Sequence, residues 1–366
     1  MTEAETPLAR IIKAEIGKSG PMPVSAFMAR ALTDPDHGYY TTATPFGVDG
    51  DFITAPEMSQ LFGEIVGAWA VHVAEVIATA IPDGPIHLIE PGPGRGTLMA
   101  DILRVASLRP ELDARVEVHL VEASPKLRET QRATIGKARP DRTEPNWHAE
   151  IGTIPEGPFV LVANEFFDAL PVEQAVKTNG GWRRRVVSLE DGNLAFAAGE
   201  AAQVPEQFND AQQGAILETC PPAAGIAKNL TQRMTRQPGV VLVIDYGYDM
   251  PATGDTLQAV RRHKSCDPLE HIGQADLTAH VCFGALAHAA ITAGAQAFGP
   301  MPQAQFLSEL GMAERAEKLM AARPDRRGDI ETAFTRLVSP DAMGSLFKVM
   351  ALTSPGMGAP PPFANA

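Results

Sequence analysis

The sequence predicts an α/β protein built on a doubly wound parallel sheet, with an N-terminal helical segment and an inserted antiparallel β/helical subdomain. Three observations carry that expectation. Four β-prone runs end in a polar residue: 86–89 in Glu90, 115–121 in Glu122, 158–163 in Asn164 and 239–244 in Asp245. Parallel strands covered on both faces read this way, and their carboxyl ends share one binding edge. A Gly-x-Gly-x-Gly turn, Gly92, Gly94 and Gly96, joins the first run to a segment with helical spacing in Leu98, Ile102 and Val105, which begins a βαβ unit. Between 172 and 200 the runs shorten and turn signals crowd in at Asn179-Gly-Gly181 and Asp191-Gly-Asn193, the pattern of an antiparallel meander.

Taken in order, 1–80 forms a helical segment and a loop. Leu8, Ile11, Ile12 and Ile16 share a helix face, and a second short helix follows a Gly-Pro-Met-Pro break, with Ser25 near its N-cap. A turn at 34–40 leads through 50–57 into a helix starting near Met58, with Leu61, Ile65, Ala68 and Trp69 on one face. The nucleoside-binding core spans 81–171, and the inserted meander and a helix span 172–238. Within the meander, Arg183-Arg-Arg185 reads as a solvated edge that discourages pairing. The rest of the core sheet and the C-terminal helices span 239–353, and the Pro/Gly-rich tail 354–366 is expected to be irregular.

Composition narrows the function. A chain of 366 residues, 45% hydrophobic and 20% charged, holds enough apolar surface for one large α/β domain with insertions. No uninterrupted apolar run reaches bilayer length, so no stable membrane insertion is expected. A net charge of −13 opposes nucleic acid and favours a small molecule or a protein as partner. Cys220, Cys266 and Cys282 are too few and scattered for a disulfide framework or a zinc site, and fit a reducing compartment. The acidic start, Met1-Thr-Glu-Ala-Glu-Thr, has neither the apolar core of a signal peptide nor the arginines of a transit peptide. The cytoplasm of a bacterium is expected, or the mitochondrial matrix for a processed organellar form. The sequence leaves a homodimer open.

Chemistry concentrates at the strand ends. Glycine turns of doubly wound sheets hold dinucleotides or S-adenosylmethionine (SAM), because a backbone without Cβ admits close approach at a helix N-terminus. Here the spacing is not Gly-x-Gly-x-x-Gly, and Glu90 stands two residues before the first glycine. A carboxylate there repels a pyrophosphate and suits the cationic amino and sulfonium groups of SAM. Glu122, 26 residues beyond Gly96, fits an acid that accepts hydrogen bonds from ribose hydroxyls, and it equally suits the start of the next helix. Asn164, Glu165 and Asp168 follow the third strand and form the candidate catalytic segment; capping and solvation are the plainer readings of the first two. Asp51, Thr54 and Glu57 serve equally as turn residues or as part of a loop over the cofactor. His263, His271, Asp276 and His280 cluster in sequence, yet only Asp276 and His280 have helix-compatible ligand spacing. No metal site is expected.

Several longer motifs stand in order along the chain: His37-Gly-Tyr-Tyr40, Gly50-Asp-Phe-Ile-Thr-Ala-Pro-Glu57, Ser59-Gln-Leu-Phe-Gly-Glu64, Glu90-Pro-Gly-Pro-Gly-Arg-Gly-Thr97, Asn164-Glu-Phe-Phe-Asp-Ala-Leu-Pro171, Asp245-Tyr-Gly247 and Asp276-Leu-Thr-Ala-His280. On these the chain resembles the MidA-like SAM-dependent methyltransferases, the family of the mitochondrial arginine methyltransferase that assists complex I assembly. The resemblance implies a class I (Rossmann-like) methyltransferase sheet, with SAM over Gly92, Gly94 and Gly96 and its ribose near Glu122. It also implies that the 50–57 loop, with Asp51 and Thr54, belongs to the site. The implied substrate is an arginine in a partner protein, and the mitochondrial member's target is a hydrophilic complex I subunit. Two alternatives stand beside it: an NAD-dependent oxidoreductase, which Glu90 and the glycine spacing disfavour, and an assembly chaperone that keeps the fold without catalysis.

Overall fold

A parallel strand needs a crossover before its neighbour and a cover on both faces, and residues 53–167, 224–249 and 283–366 supply them as one compact unit. The computed structural model describes residues 5–42 and 54–365. A second compact unit draws on 1–52, 168–223 and 250–282, so the two alternate along the sequence.

The sheet of the first of these includes β1 (Ile86–Pro91), β2 (Val116–Val121), β3 (Asn146–His148), β4 (Phe159–Asn164), β5 (Gly239–Tyr248), β6 (Gln296–Pro302) and β7 (Phe347–Thr353). Its order is β6–β7–β5–β4–β1–β2–β3. The run from β5 to β3 is parallel, while β7 is antiparallel to both β5 and β6. All four polar strand ends therefore lie at one edge. Leu88 pairs in register with Val118 and with Val160. These side chains join Ile86, Leu120 and Val162 in a core shared with α1 (Gln60–Ala80) and α2 (Thr97–Ala106).

Helix α1 begins at Ser59, whose hydroxyl accepts from the Leu61 N–H, and runs well past Trp69 because Ala and Val continue its apolar face. It is long and apolar enough to cross a membrane by length and composition, but the core accounts for that character, with Leu61, Phe62, Val66 and Ile77 fully buried. Each such side chain contributes about 1.5–3 kcal/mol. Gly63 and Gly67 let α2 approach closely, and a Cβ on Gly67 would stand 3.0 Å from the Ile102 Cα.

Sequence periodicity missed β3, whose three residues include only one apolar side chain, Trp147. Its pairing with β2 through Leu120 and Trp147 supplies what local pattern lacks. The tail is irregular, as its Pro/Gly content implies, but it packs onto the core. Phe363 is buried beside Phe306, and the Trp69 indole donates to the Pro361 carbonyl at 2.6 Å.

In the other unit, helices Pro7–Ser19 and Val24–Thr33 bury Leu8, Ile12, Phe27 and Met28. Ser25 is not the N-cap. Met22 and Pro23 pair with Val187 and Val186, so the helix starts at once after Pro23, and the Ser25 hydroxyl donates to Glu173 instead. The meander consists of Glu173–Thr178, Gly181–Glu190, Asn193–Ala201 and Ile216–Thr219. Arg183–Arg185 does not lie on an edge, because Gly181–Glu190 is paired on both sides, with Arg183 facing Val176 and Ala201. The arginines are accommodated by Glu173, Glu200 and Asp255, and by stacking of Arg185 over Phe196.

Candidate active site

The turn after β1 works because its glycines take conformations closed to other residues. Gly92 and Gly96 have φ of 61° and 81°. A Cβ on Gly92 would stand 3.1 Å from the Phe166 ring, and one on Gly96 3.2 Å from the Gln131 backbone. Gly96 is also the N-cap of α2, so the first turn of that helix opens toward the turn. Glu90, 4% exposed, sits at the end of β1. Burial pushes its pKa up to about 8, against a hydrogen bond from the Met99 N–H that favours the carboxylate. Its Oε2 is buried with no hydrogen-bond partner among the described residues.

Glu122 lies just past β2 and is fixed from two sides. Its Oε1 accepts from the Ser124 N–H at 2.8 Å and its Oε2 from Gln131 Nε2 at 3.1 Å, while burial raises its pKa. Its reading as a residue at the start of the next helix fits, since Ser124 caps α3 (Pro125–Ala138). Gln131 was not anticipated. It is fully buried, donates also to the Gly94 carbonyl, and accepts from the Trp147 indole, tying the glycine turn to the acid. Its signal was a polar residue in the buried Leu127, Gln131, Ile135 stripe of α3.

At the end of β4, Glu165 has φ of 49°, a strained conformation of the kind that collects at functional sites. Its Oε1 accepts from Asn164 Nδ2 at 3.2 Å and from the Ala55 N–H at 3.4 Å. The buried Asn164 Oδ1 has no hydrogen-bond partner among the described residues. Asp245, fully buried on β5, accepts from the Phe167 N–H at 3.0 Å and from the Tyr246 N–H at 3.0 Å, and so sets the turn that carries Phe166 over Gly92. Phe167 is a packing residue, as its burial shows.

Thr54 precedes the short helix Ala55–Met58 without a side-chain capping bond. Glu57 in that helix accepts from the Thr97 hydroxyl and lies 3.7 Å from Arg95. These contacts set Glu57 beside the glycine turn; Asp51, with Gly50, Phe52 and Ile53, lies outside the described residues. Asp168 belongs to the other unit, where it is buried, accepts from the Ala279 N–H through its carbonyl, and lies near Tyr40. There the Tyr40 hydroxyl donates to Asp276 at 3.0 Å, and burial with the nearby carboxylates holds that phenol protonated. His271 meets Arg261, and the His280 N–H donates to Thr256. Asp276, His263, His271 and His280 do not gather into a ligand set among the described residues.

The residues around the turn fit SAM. Glu90 offers a buried, unsatisfied oxygen to a cation, Glu122 a fixed carboxylate to hydroxyls, and Gly92 and Gly96 a surface that a Cβ would fill. Residues 65–301 match the family model described as "Putative S-adenosyl-L-methionine-dependent methyltransferase". The chain is 35% identical to mouse mitochondrial "Protein arginine methyltransferase NDUFAF7" over 95% of its length and 84% of that protein's. The Drosophila melanogaster homolog is 34% identical over 94% and 84% of the two chains. A Burkholderia thailandensis COG1565 superfamily member, solved with S-adenosyl-homocysteine bound, superposes with a TM-score of 0.83 at 30% identity, covering 94% of this chain and 91% of that one. By that family model over residues 65–301 and by relatives 35% and 34% identical across nearly its whole length, this chain belongs to the SAM-dependent methyltransferase family.

Proposed function

We propose that the chain methylates an arginine side chain of a partner protein, a hydrophilic subunit of respiratory complex I, in the bacterial cytoplasm or the mitochondrial matrix. The relatives named protein arginine methyltransferase support the substrate class. The observation that carries the mechanism is Glu165, a carboxylate held in a strained turn beside Asn164 at the edge where β1 and β2 end.

Gly92, Gly94 and Gly96 would hold SAM, which when bound supplies the methyl group. A guanidinium is protonated at neutral pH and poorly nucleophilic. Glu165 binds two of its nitrogens in the paired geometry that carboxylates offer, concentrating positive charge there and leaving the third nitrogen freer to attack; the nitrogen–methyl bond forms as the sulfur–methyl bond breaks, and the extra proton on the methylated nitrogen is lost through the carboxylate to solvent. The Asn164 Oδ1 orients the same group. Asp168 enters as a second carboxylate through its place in the chain, three residues beyond Glu165. Asp51 and Thr54 belong to the loop that excludes water from the transfer.

The test is transfer of labelled methyl to complex I subunits, read by mass spectrometry, with calorimetry for SAM. Glu165→Ala lowers turnover by about a hundredfold or more and leaves SAM affinity within about threefold. Undiminished turnover in that variant removes Glu165 from the mechanism. Identical arginine methylation of complex I subunits in cells with and without the protein removes the substrate.

A further inference from the structure

Three histidines form a continuous chain across the sheet face opposite α1 and α2. His87 and His119 alternate with the core residues Ile86, Leu88, Val118 and Leu120, and both are almost completely buried. His87 Nδ1 lies 2.9 Å from His119 Nε2, and His119 Nδ1 lies 3.0 Å from His148 Nε2. At one end His87 Nε2 is 3.3 Å from the Glu156 carbonyl. At the other, His148 Nδ1 is 3.1 Å from Thr153 Oγ1, whose hydroxyl donates to the Glu150 carbonyl.

The end partners set where the protons lie. A carbonyl only accepts, so His87 Nε2 is the donor to Glu156 and the Nδ1 of a neutral ring is a lone pair. With the Thr153 proton directed to the Glu150 carbonyl, His148 Nδ1 donates, His148 Nε2 accepts from His119 Nδ1, and His119 Nε2 is a lone pair. Two lone pairs then face each other across 2.9 Å, where a cation joins them; with the Thr153 hydroxyl turned to His148 the row is instead a neutral hydrogen-bonded relay. Glu117 Oε2 stands 3.7 Å from His87 Nδ1 and 3.9 Å from His119 Nε2. A triangle with these three sides has its centre about 2.1 Å from every donor atom, the length of zinc bonds to imidazole and carboxylate.

We propose that His87 Nδ1, His119 Nε2 and Glu117 Oε2 bind one divalent transition-metal ion, zinc by ligand type, with a further coordination position toward solvent on the half-exposed Glu117 side. Two imidazoles and one carboxylate favour zinc over calcium or magnesium. Each ligand ring donates its far N–H to a fixed acceptor, which is how metal-bound histidines are oriented. Arg233 on the same face is occupied by the Ile154 and Pro155 carbonyls. The ion clips β1 to β2. Glu90 has the opposite side-chain parity to His87, so the ion stands apart from the cofactor turn.

Tag-free, chelator-treated protein is titrated with Zn²⁺ by calorimetry, alongside Glu117→Ala and Glu117→Gln. Glu117 is 51% exposed, so both variants fold, and SAM binding verifies it. The wild type takes up one equivalent and its Tm rises with Zn²⁺. Both variants bind about tenfold or more weakly. Absence of stoichiometric uptake by the wild type overturns the site, as does uptake that Glu117→Ala leaves unchanged.

Discussion

Replacing Glu90 by Gln tests the electrostatic design of the cofactor turn. Raising a buried carboxyl from its ordinary 4.5 to about 8 corresponds to about 5 kcal/mol against the charged form, at about 1.4 kcal/mol per decade of proton affinity. The folded chain without cofactor then holds a proton on Glu90 that the unfolded chain has released, throughout the interval from 4.5 to about 8. Stability rises with pH where the unfolded state binds more protons and falls where the folded state does. Here it falls. The expected loss is about 1.4 kcal/mol per pH unit across that interval, with no further loss from this group above it. Gln keeps the acceptor for the Met99 N–H and cannot ionise. Urea midpoints of the cofactor-free proteins, measured from pH 5 to pH 9, are therefore expected to coincide at the acid end and separate at the alkaline end, the variant ending several kcal/mol more stable. Saturation with SAM supplies the missing counter-charge and flattens the wild-type slope. Binding at pH 7 then releases close to one proton, which calorimetry in buffers of different ionisation enthalpy measures. Parallel midpoint curves for the two proteins, with no proton release on binding, would refute the reasoning.

Gly92→Ala places a Cβ against Phe166 at a positive φ, costing about 1–2 kcal/mol; SAM affinity measured by calorimetry is expected to fall by about tenfold or more. Asp245→Ala leaves the buried Phe167 and Tyr246 N–H groups without the carboxylate that accepts them, a loss of about 2–5 kcal/mol, read as a lower Tm together with reduced turnover. Gln131→Leu keeps the apolar stripe of α3 and removes the bridge between Gly94 and Glu122, so SAM affinity declines while helix content by circular dichroism is unchanged. Tyr40→Phe removes the hydrogen bond to Asp276 and lowers stability by about 1 kcal/mol, with no effect on SAM affinity; a tenfold loss of affinity would contradict a purely structural role for that hydrogen bond.

The parallel sheet and the cofactor turn were legible because they rest on local pattern. Buried strands such as 239–244 are apolar without interruption, and a left-handed turn demands glycine. What escaped the sequence depends on pairing between distant segments. Three residues at 146–148 become a strand only against β2, and Arg183–Arg185 looks like an edge until Asn193–Ala201 folds back on it. Ser25 has the chemistry of a cap, but the preceding pair with Val186 and Val187 moves the helix start. Gln131 was hidden by its type, since a glutamine on a helix is ordinarily solvated. The His87, Glu117 and His119 cluster was invisible because metal spacing was sought along a helix, whereas here the ligands come from neighbouring strands in register.

The position of β7 bears on how the protein is made. The last strand of the chain is not at the margin of the sheet but between β5 and β6. A ribosome therefore releases β5 and β6 long before the segment that joins them exists, and both present unpaired strand edges during that interval. The sheet closes only when β7 inserts between two strands made before it, so a destabilising change within 347–353 opens two strand edges at once rather than one.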